Sequence, residues 1–171
     1  MSYKGMSPSY LQPFDVVVLQ NVNLELERTH HDVSALRSYV AQGGGVLLAH
    51  DTAWFMESPI PEVAVRARPK NNVEAIRHVV ESELSVAVTH PSIGLGKGTS
   101  FMPEFRDHMI FRAGPTGRVV IENGFADPVY VAGEFEKGRI LFSGSYYGYS
   151  RPVQGTELAV FLAGLQWLAQ Q

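Results

Sequence analysis

Cysteine is absent from the 171 residues. That one absence removes disulfides, thiolate metal ligands and a cysteine nucleophile. A charge of one sign is also lacking: the formal net charge is −3, and the basic residues are scattered. The densest basic stretch, RARPK at 66–70, is too short for a nucleic-acid-binding face, so no nucleic-acid partner is expected. No run of about 18 apolar residues occurs, so neither a membrane-spanning helix nor a membrane partner is expected. The N-terminal MSYKGMSPSYLQPF has no apolar segment of the signal-peptide kind. A cytoplasmic protein is the expectation.

What is present suits one folded domain over 1–171. Apolar residues make up 45% and charged residues 18%, an ordinary globular mixture. DVVVL (15–19) is a continuous β-branched run, as in a strand buried on both faces. Val33, Leu36 and Val40 then recur at i, i+3, i+7, one face of a helix, with Thr29 or Asp32 as its cap and Gly43 in the left-handed position after it. VLLA (46–49) is a second buried strand. Strand, helix and strand in succession read as a βαβ unit. The segment 73–80, VEAIRHVV, fits a strand or a short helix, and HPSIGLGKGTSFMPEF (90–105) reads as a long ordered loop. GRVVIEN (117–123), DPVYVAGEF (127–135) and GRILFSGS (138–145) are three strands, the last two turning at EKG as a hairpin. Leu158, Phe161, Leu162, Leu165 and Leu168 mark the stripe of a terminal helix that Thr156 is placed to cap. The sum is an α/β fold with a mostly parallel central sheet and a C-terminal antiparallel hairpin.

FDVVVL, LRSYVAQGGGVLLAHD, THPSIGLG and DPVYVAGEFEKGRILFSGSYYGY, taken in order, resemble segments of the class I glutamine amidotransferase-like superfamily. Within it they are most similar to the ThuA-like branch associated with trehalose utilisation. The resemblance implies a flavodoxin-like three-layer fold and a carbohydrate-related ligand. It carries two departures. Only about 14 residues precede DVVVL, so the first strand-helix unit of that fold is missing or replaced, one sheet edge is left open, and a homo-oligomer is expected to cover it. The second departure is at the turn after VLLA, where His50 stands in place of the cysteine of glutamine-hydrolysing relatives. Glutaminase chemistry is therefore excluded.

His50 and Asp51 follow a parallel strand, where open α/β sheets bind ligands. The expected catalytic pair is His50 as general base with Asp51 orienting it. The bland alternative is a hydrogen-bonded strand end and a helix cap. Thr52, His90, Asp107, His108, Ser145, Tyr146 and Tyr147 are the candidate ligand-binding residues of the same cleft. For Ser145, Tyr146 and Tyr147 the alternative is an aromatic loop packed on the terminal helix, and for His90 a surface turn. No short-range ligand spacing points to a metal, and GLGKG (94–98) lacks the spacing of a phosphate loop, so no metal and no cofactor are expected. Arg139 is expected to be solvated, Trp54 and Phe55 to lie in the core, and Glu81 and Glu83 on a solvated edge. Three functions remain: a non-glutaminase domain binding a small carbohydrate-related molecule, a small ester or lactone hydrolase using His50, and a structural oligomerisation domain, a use the resemblance supplies from some β-galactosidases.

Overall fold

The computed structural model describes residues 6–20, 26–68, 77–78 and 83–170. In chain order the elements are α1 (Pro8–Leu11), β1 (Val16–Gln20), α2 (Leu26–Ala41), β2 (Gly45–Ala49), α3 (Asp51–Phe55), β3 (Ala64–Arg66), β4 (Arg77–His78), β5 (Leu84–Val86), β6 (Ser100–Phe101), β7 (His108–Met109), β8 (Phe111–Ala113), β9 (Arg118–Asn123), β10 (Pro128–Phe135), β11 (Gly138–Ser143) and α4 (Gly155–Ala169).

A seven-stranded mixed sheet, in the order β1-β2-β11-β10-β9-β5-β6, forms the centre. The expectation of a mostly parallel sheet is corrected. Only β1–β2 and β2–β11 are parallel, and the other four pairings are antiparallel. The cause is connection length. β9, β10 and β11 follow one another through short turns, and a short turn can return the chain only antiparallel. The run VLLA marks a strand buried along its length, whereas β1, expected to be buried on both faces, is half-buried with Val18 exposed; neither run reports strand direction.

Successive side chains of a strand point to opposite faces. Val46, Leu48, Ile140 and Phe142 accordingly pack with Leu36, Tyr39 and Val40 of α2. Leu47, Ala49, Leu141 and Tyr130 pack with Val160, Trp167 and Leu168 of α4 on the other face. The helix α2 starts at Leu26, so Thr29 and Asp32 lie inside it and neither is its cap. Buried Asp32 instead accepts a hydrogen bond from the Met6 amide at 2.6 Å. After α2, Gly43 takes φ +116, and the Gly44 amide returns to the Tyr39 carbonyl. This closes the helix and turns the chain into β2.

The terminal helix is rotated from its expected stripe. Val160, Gly164, Trp167 and Leu168 are buried, whereas Leu162 is 47% exposed. Gln154, not Thr156, is its N-cap residue. Arg139 is not simply solvated: its guanidinium donates to the carbonyls of Trp167 and Gln170 at the carboxyl end of α4, the end that favours a cation. The expected loop at 90–105 contains the edge strand β6, which pairs with β5. Of 73–80 only Arg77–His78 is described, as β4. The side chains of Trp54 and Phe55, and residue 81, lie outside the described set; Glu83 is exposed.

On the outer side of α2, Arg37 forms a two-pronged pair with Glu62, at 2.9 and 2.6 Å, and its guanidinium lies 4.2 Å from the Phe135 ring centroid. The Arg37 hydrogen bonds hold the Glu62 carboxyl at about 2, below its ordinary value of 4.5. A carboxylate whose folded pKa is depressed contributes stability above its unfolded pKa and loses it as pH falls through the folded one. The contribution of this pair is therefore expected to fade between pH 4.5 and about 2. Both partners are more than a third exposed, so screening keeps the effect small. Urea titrations across that window should show a shallower pH slope for Glu62→Gln than for the parent. Equal slopes would remove the pair from the acid response.

Candidate functional site

The strand β2 passes into α3 with no loop between them, so His50 alone makes the turn. Its backbone has φ 45 and ψ −122, and no side-chain cap assists it. A non-glycine residue there stores about 1–3 kcal/mol of strain, a feature that clusters at functional sites. The His50 amide donates to the Ser143 carbonyl at 2.8 Å, and the His50 carbonyl accepts from the Ala53 amide at 2.9 Å. These bonds tie the turn to the end of β11.

The imidazole of His50 is 1% exposed. Phe105 and Tyr146 meet it edge-on, with centroids 5.4 and 5.3 Å away. Its Nδ1 lies 3.5 Å from Asp51 Oδ1. His50 stands at the carboxyl end of the strand, where the sequence places it, and it is buried there. Thr52 is fully buried beside it.

His50, His90 and His108 each have partners of their own. His90 bonds Ser92 Oγ through Nδ1 at 2.8 Å and packs on Trp167, 5.2 Å between centroids. Trp167 is held by Arg139, which pairs with Gly45 at the start of β2. His50 follows the other end of β2. Burial first, then Arg118, lowers the pKa of His90, which favours a neutral ring.

His108 is fully buried. Asn123 Oδ1 already accepts from the Phe125 and Asp127 amides. The Asn123 amide nitrogen therefore donates to His108 Nε2, at 3.1 Å, and His108 Nδ1 donates to the Arg106 carbonyl at 3.0 Å. Both contacts are satisfied together only by a neutral ring with its proton on Nδ1. Asp107, next to it, is half-buried.

Ser145 is buried, and its amide donates to Ser143 Oγ at 3.3 Å. Tyr147 is 7% exposed; its hydroxyl donates to the Tyr130 hydroxyl at 3.0 Å and lies 2.9 Å from Ser143 Oγ. Tyr147 also packs on Phe161 of α4, as the bland reading of this loop expects. Tyr146 is half-buried over His50. Among the described residues no group of three or more His, Asp or Glu side chains is placed to hold a metal ion.

Sequence reasoning missed a nearby cavity of about 550 Å³. Residues 100–106 form one wall and 151–157 the other. Glu104, Arg106, Arg151, Gln154, Thr156 and Glu157 line it. Phe105 joins it to the His50 turn, contacting both His50 and Tyr149. Glu104 Oε1 takes Arg151 Nε at 3.0 Å and the Ser150 hydroxyl at 2.7 Å. The Glu104 amide donates to Glu157 Oε2 at 3.3 Å. Glu157 is 5% exposed, and burial chiefly raises its pKa above the ordinary 4.5. One sequence signal did point here: Glu157 falls on the buried stripe of α4, three residues before Val160. A carboxylate on an apolar face is seldom kept without a role. A second cavity, about 300 Å³, is mainly apolar and lined by Leu48, Met56, Phe111 and Phe142.

No family model matches the chain, and no curated protein matches it. Solved structures do. The mmIFT52 N-terminal domain aligns with a TM-score of 0.71 at 13% identity, covering 98% of this chain and 82% of that one. A putative ThuA-like protein from Bacteroides uniformis aligns at 0.64 and 14% identity, covering 95% and 72%. A putative GMP synthase component from Thermoplasma acidophilum aligns at 0.61 and 13% identity, covering 96% and 77%. No helix among the described residues is long and apolar enough to cross a membrane. At these identities the likeness concerns architecture alone: the chain has the α/β fold shared by ThuA-like and amidotransferase-like proteins.

Proposed function

We propose that this is a ThuA-like, non-glutaminase domain that binds a small carbohydrate-related molecule, with a cytoplasmic location. The two cores, one on each sheet face, support the three-layer reading. The observation that carries the function is the cavity between 100–106 and 151–157. Its charged and amide side chains suit a ligand with many hydroxyls, and Phe105 and Tyr149 lie in contact beside it for stacking. His50 and Tyr146 contact Phe105, which lies between Glu104 and Arg106 of this wall. A catalytic role for His50 requires substrate contact, and a ring enclosed by Phe105 and Tyr146 supports that poorly.

Calorimetric titration with a panel of monosaccharides and disaccharides tests the proposal. Saturable binding is expected, and Gln154→Ala with Thr156→Val should weaken it about tenfold, or about 1.4 kcal/mol. A panel with no binder at tens of millimolar, or a double variant with parental affinity, would remove the cavity as the site.

One observation favours a structural role as a second reading. Among the described residues β1 pairs only with β2. Its sequence, VVVLQ, carries no charge or proline to discourage pairing. Val18 is 42% exposed there, and Tyr10 and Phe14, 65% and 49% exposed, stack nearby in the chain. Sedimentation velocity showing a monomer at high concentration would set this reading aside.

A further inference from the structure

We propose that the turn at 90–94 is an acid-sensitive latch: it stays closed on α4 while the His90 ring is neutral, and it opens when the ring takes a second proton. The latch lies apart from the cavity and does not depend on the ligand proposed there.

The turn closes around His90. The His90 carbonyl accepts from the Ile93 amide at 3.1 Å and from the Gly94 amide at 3.4 Å. The ring Nδ1 accepts from the Ser92 amide at 3.2 Å and lies 2.8 Å from Ser92 Oγ. It thereby does what an Asn or Asp oxygen does in an Asx turn, accepting from the backbone N–H two residues on. The turn is seated on the terminal helix. Ser92 and Ile93 are fully buried, and the half-buried His90 ring meets Trp167 edge-on. A Cβ at Gly94 would stand 2.9 Å from Ala163 Cβ, which shows how close the two segments are.

These bonds fix the protonation state. A backbone N–H can only donate, so Nδ1 offers its lone pair and the neutral ring carries its proton on Nε2. An imidazolium has an N–H on both nitrogens. Its Nδ1–H would face the Ser92 N–H, donor against donor, and that bond of the turn would be lost. The surroundings act in the same direction. Burial opposes a charged ring most, followed by Arg118 of β9; Glu134 of β10 favours the charge, and Arg139 of β11 opposes it. Glu134 is itself paired with Arg139 at 3.3 Å. The last two turns of α4, 162–169, carry no titratable side chain.

The closed turn therefore holds the ring below its ordinary value of 6.5. An open turn returns it to that value and binds more protons, so acid favours the open form. The stabilisation is fully present above 6.5 and fades as pH falls below it. Beyond the turn, the Gly98 amide donates to the Val86 carbonyl at 2.9 Å. That bond pins the chain again and confines the opening to the residues before it.

Amide hydrogen exchange followed by NMR on the full chain tests this at about pH 7.5 and about pH 5.5, with rates corrected for their intrinsic pH dependence. In the parent, protection of the Ser92, Ile93 and Gly94 amides relative to those of β10 is expected to fall about fivefold, within a ceiling of about tenfold for an open form that titrates at 6.5. His90→Asn keeps an acceptor for the Ser92 amide and has nothing to titrate, so its protection should be the same at both pH values. His90→Ala should be poorly protected at both. Equal protection in the parent at the two pH values would overturn the latch. An equal loss in His90→Asn would also overturn it, as would an equal loss throughout β10, which would make the acid response global. Should His90→Ala fail to fold, the parent and His90→Asn still decide.

Discussion

Tyr130→Ala is expected to lower the unfolding free energy by about 3–5 kcal/mol, in the range for removing a fully buried aromatic ring. Tyr130 is 0% exposed at the centre of β10 and belongs to the core shared with α4. Its hydroxyl accepts from Tyr147, which in turn lies 2.9 Å from Ser143 Oγ. Burial pushes the Tyr130 phenol up to about 12, so the group is a neutral hydroxyl at every ordinary pH. Alanine would remove the ring and take from the buried Tyr147 hydroxyl one of its two hydrogen-bond contacts, leaving Ser143 Oγ. Tyr130→Phe separates the two losses: it keeps the ring and should cost about 1–3 kcal/mol, the penalty for a buried polar group losing its partner. Urea denaturation of the parent and both variants measures this. A loss below about 1 kcal/mol for alanine would mean that the core relaxes around the gap. Equal losses for alanine and phenylalanine would assign the effect to the hydroxyl alone.

Gly45→Ala is the second large effect. Gly45 opens β2, pairing with Val16 on one side and Arg139 on the other. A Cβ there would stand 2.4 Å from the Leu168 carbonyl oxygen and 2.9 Å from its carbonyl carbon. These are backbone atoms near the end of α4, so no side-chain rotation relieves the clash. The helix must move away, or β2 must shift and break register with two neighbours. Overpacking of this kind costs about 1–3 kcal/mol when side chains can yield; with backbone on both sides a loss of about 3 kcal/mol or more is expected. Gly96→Ala is the control, because a Cβ there meets nothing within 4 Å. Thermal unfolding of the two variants side by side reads the difference. A Gly45→Ala protein as stable as the control would show that α4 is not seated on β2.

Much of the architecture could be read from residues in order. DVVVL and VLLA became β1 and β2 because β-branched runs bounded by turns have few other uses, and Gly43 stops α2 where expected. The three late strands also stand near their expected bounds. Strand direction was harder to read, because it depends on how short the connections are and which neighbours are reached, not on composition. The cavity was harder still. Its walls are separated by some fifty positions in the chain, 100–106 and 151–157, and no local motif links them. His50 shows the opposite case. Its place at the end of β2 was legible, but its enclosure by Phe105 and Tyr146 arises from a loop that sequence periodicity does not position.

The order of the strands also constrains how the chain is made. β2 sits between β1, which precedes it, and β11, which begins more than 90 positions later. During synthesis from the amino terminus, one flank of β2 therefore stays open until residues 138–143 have left the ribosome. Its five wholly apolar or glycine residues, GVLLA, must wait without their eventual neighbour. The nascent chain is thus most prone to association just before β11 emerges, the interval in which a chaperone would find a grip.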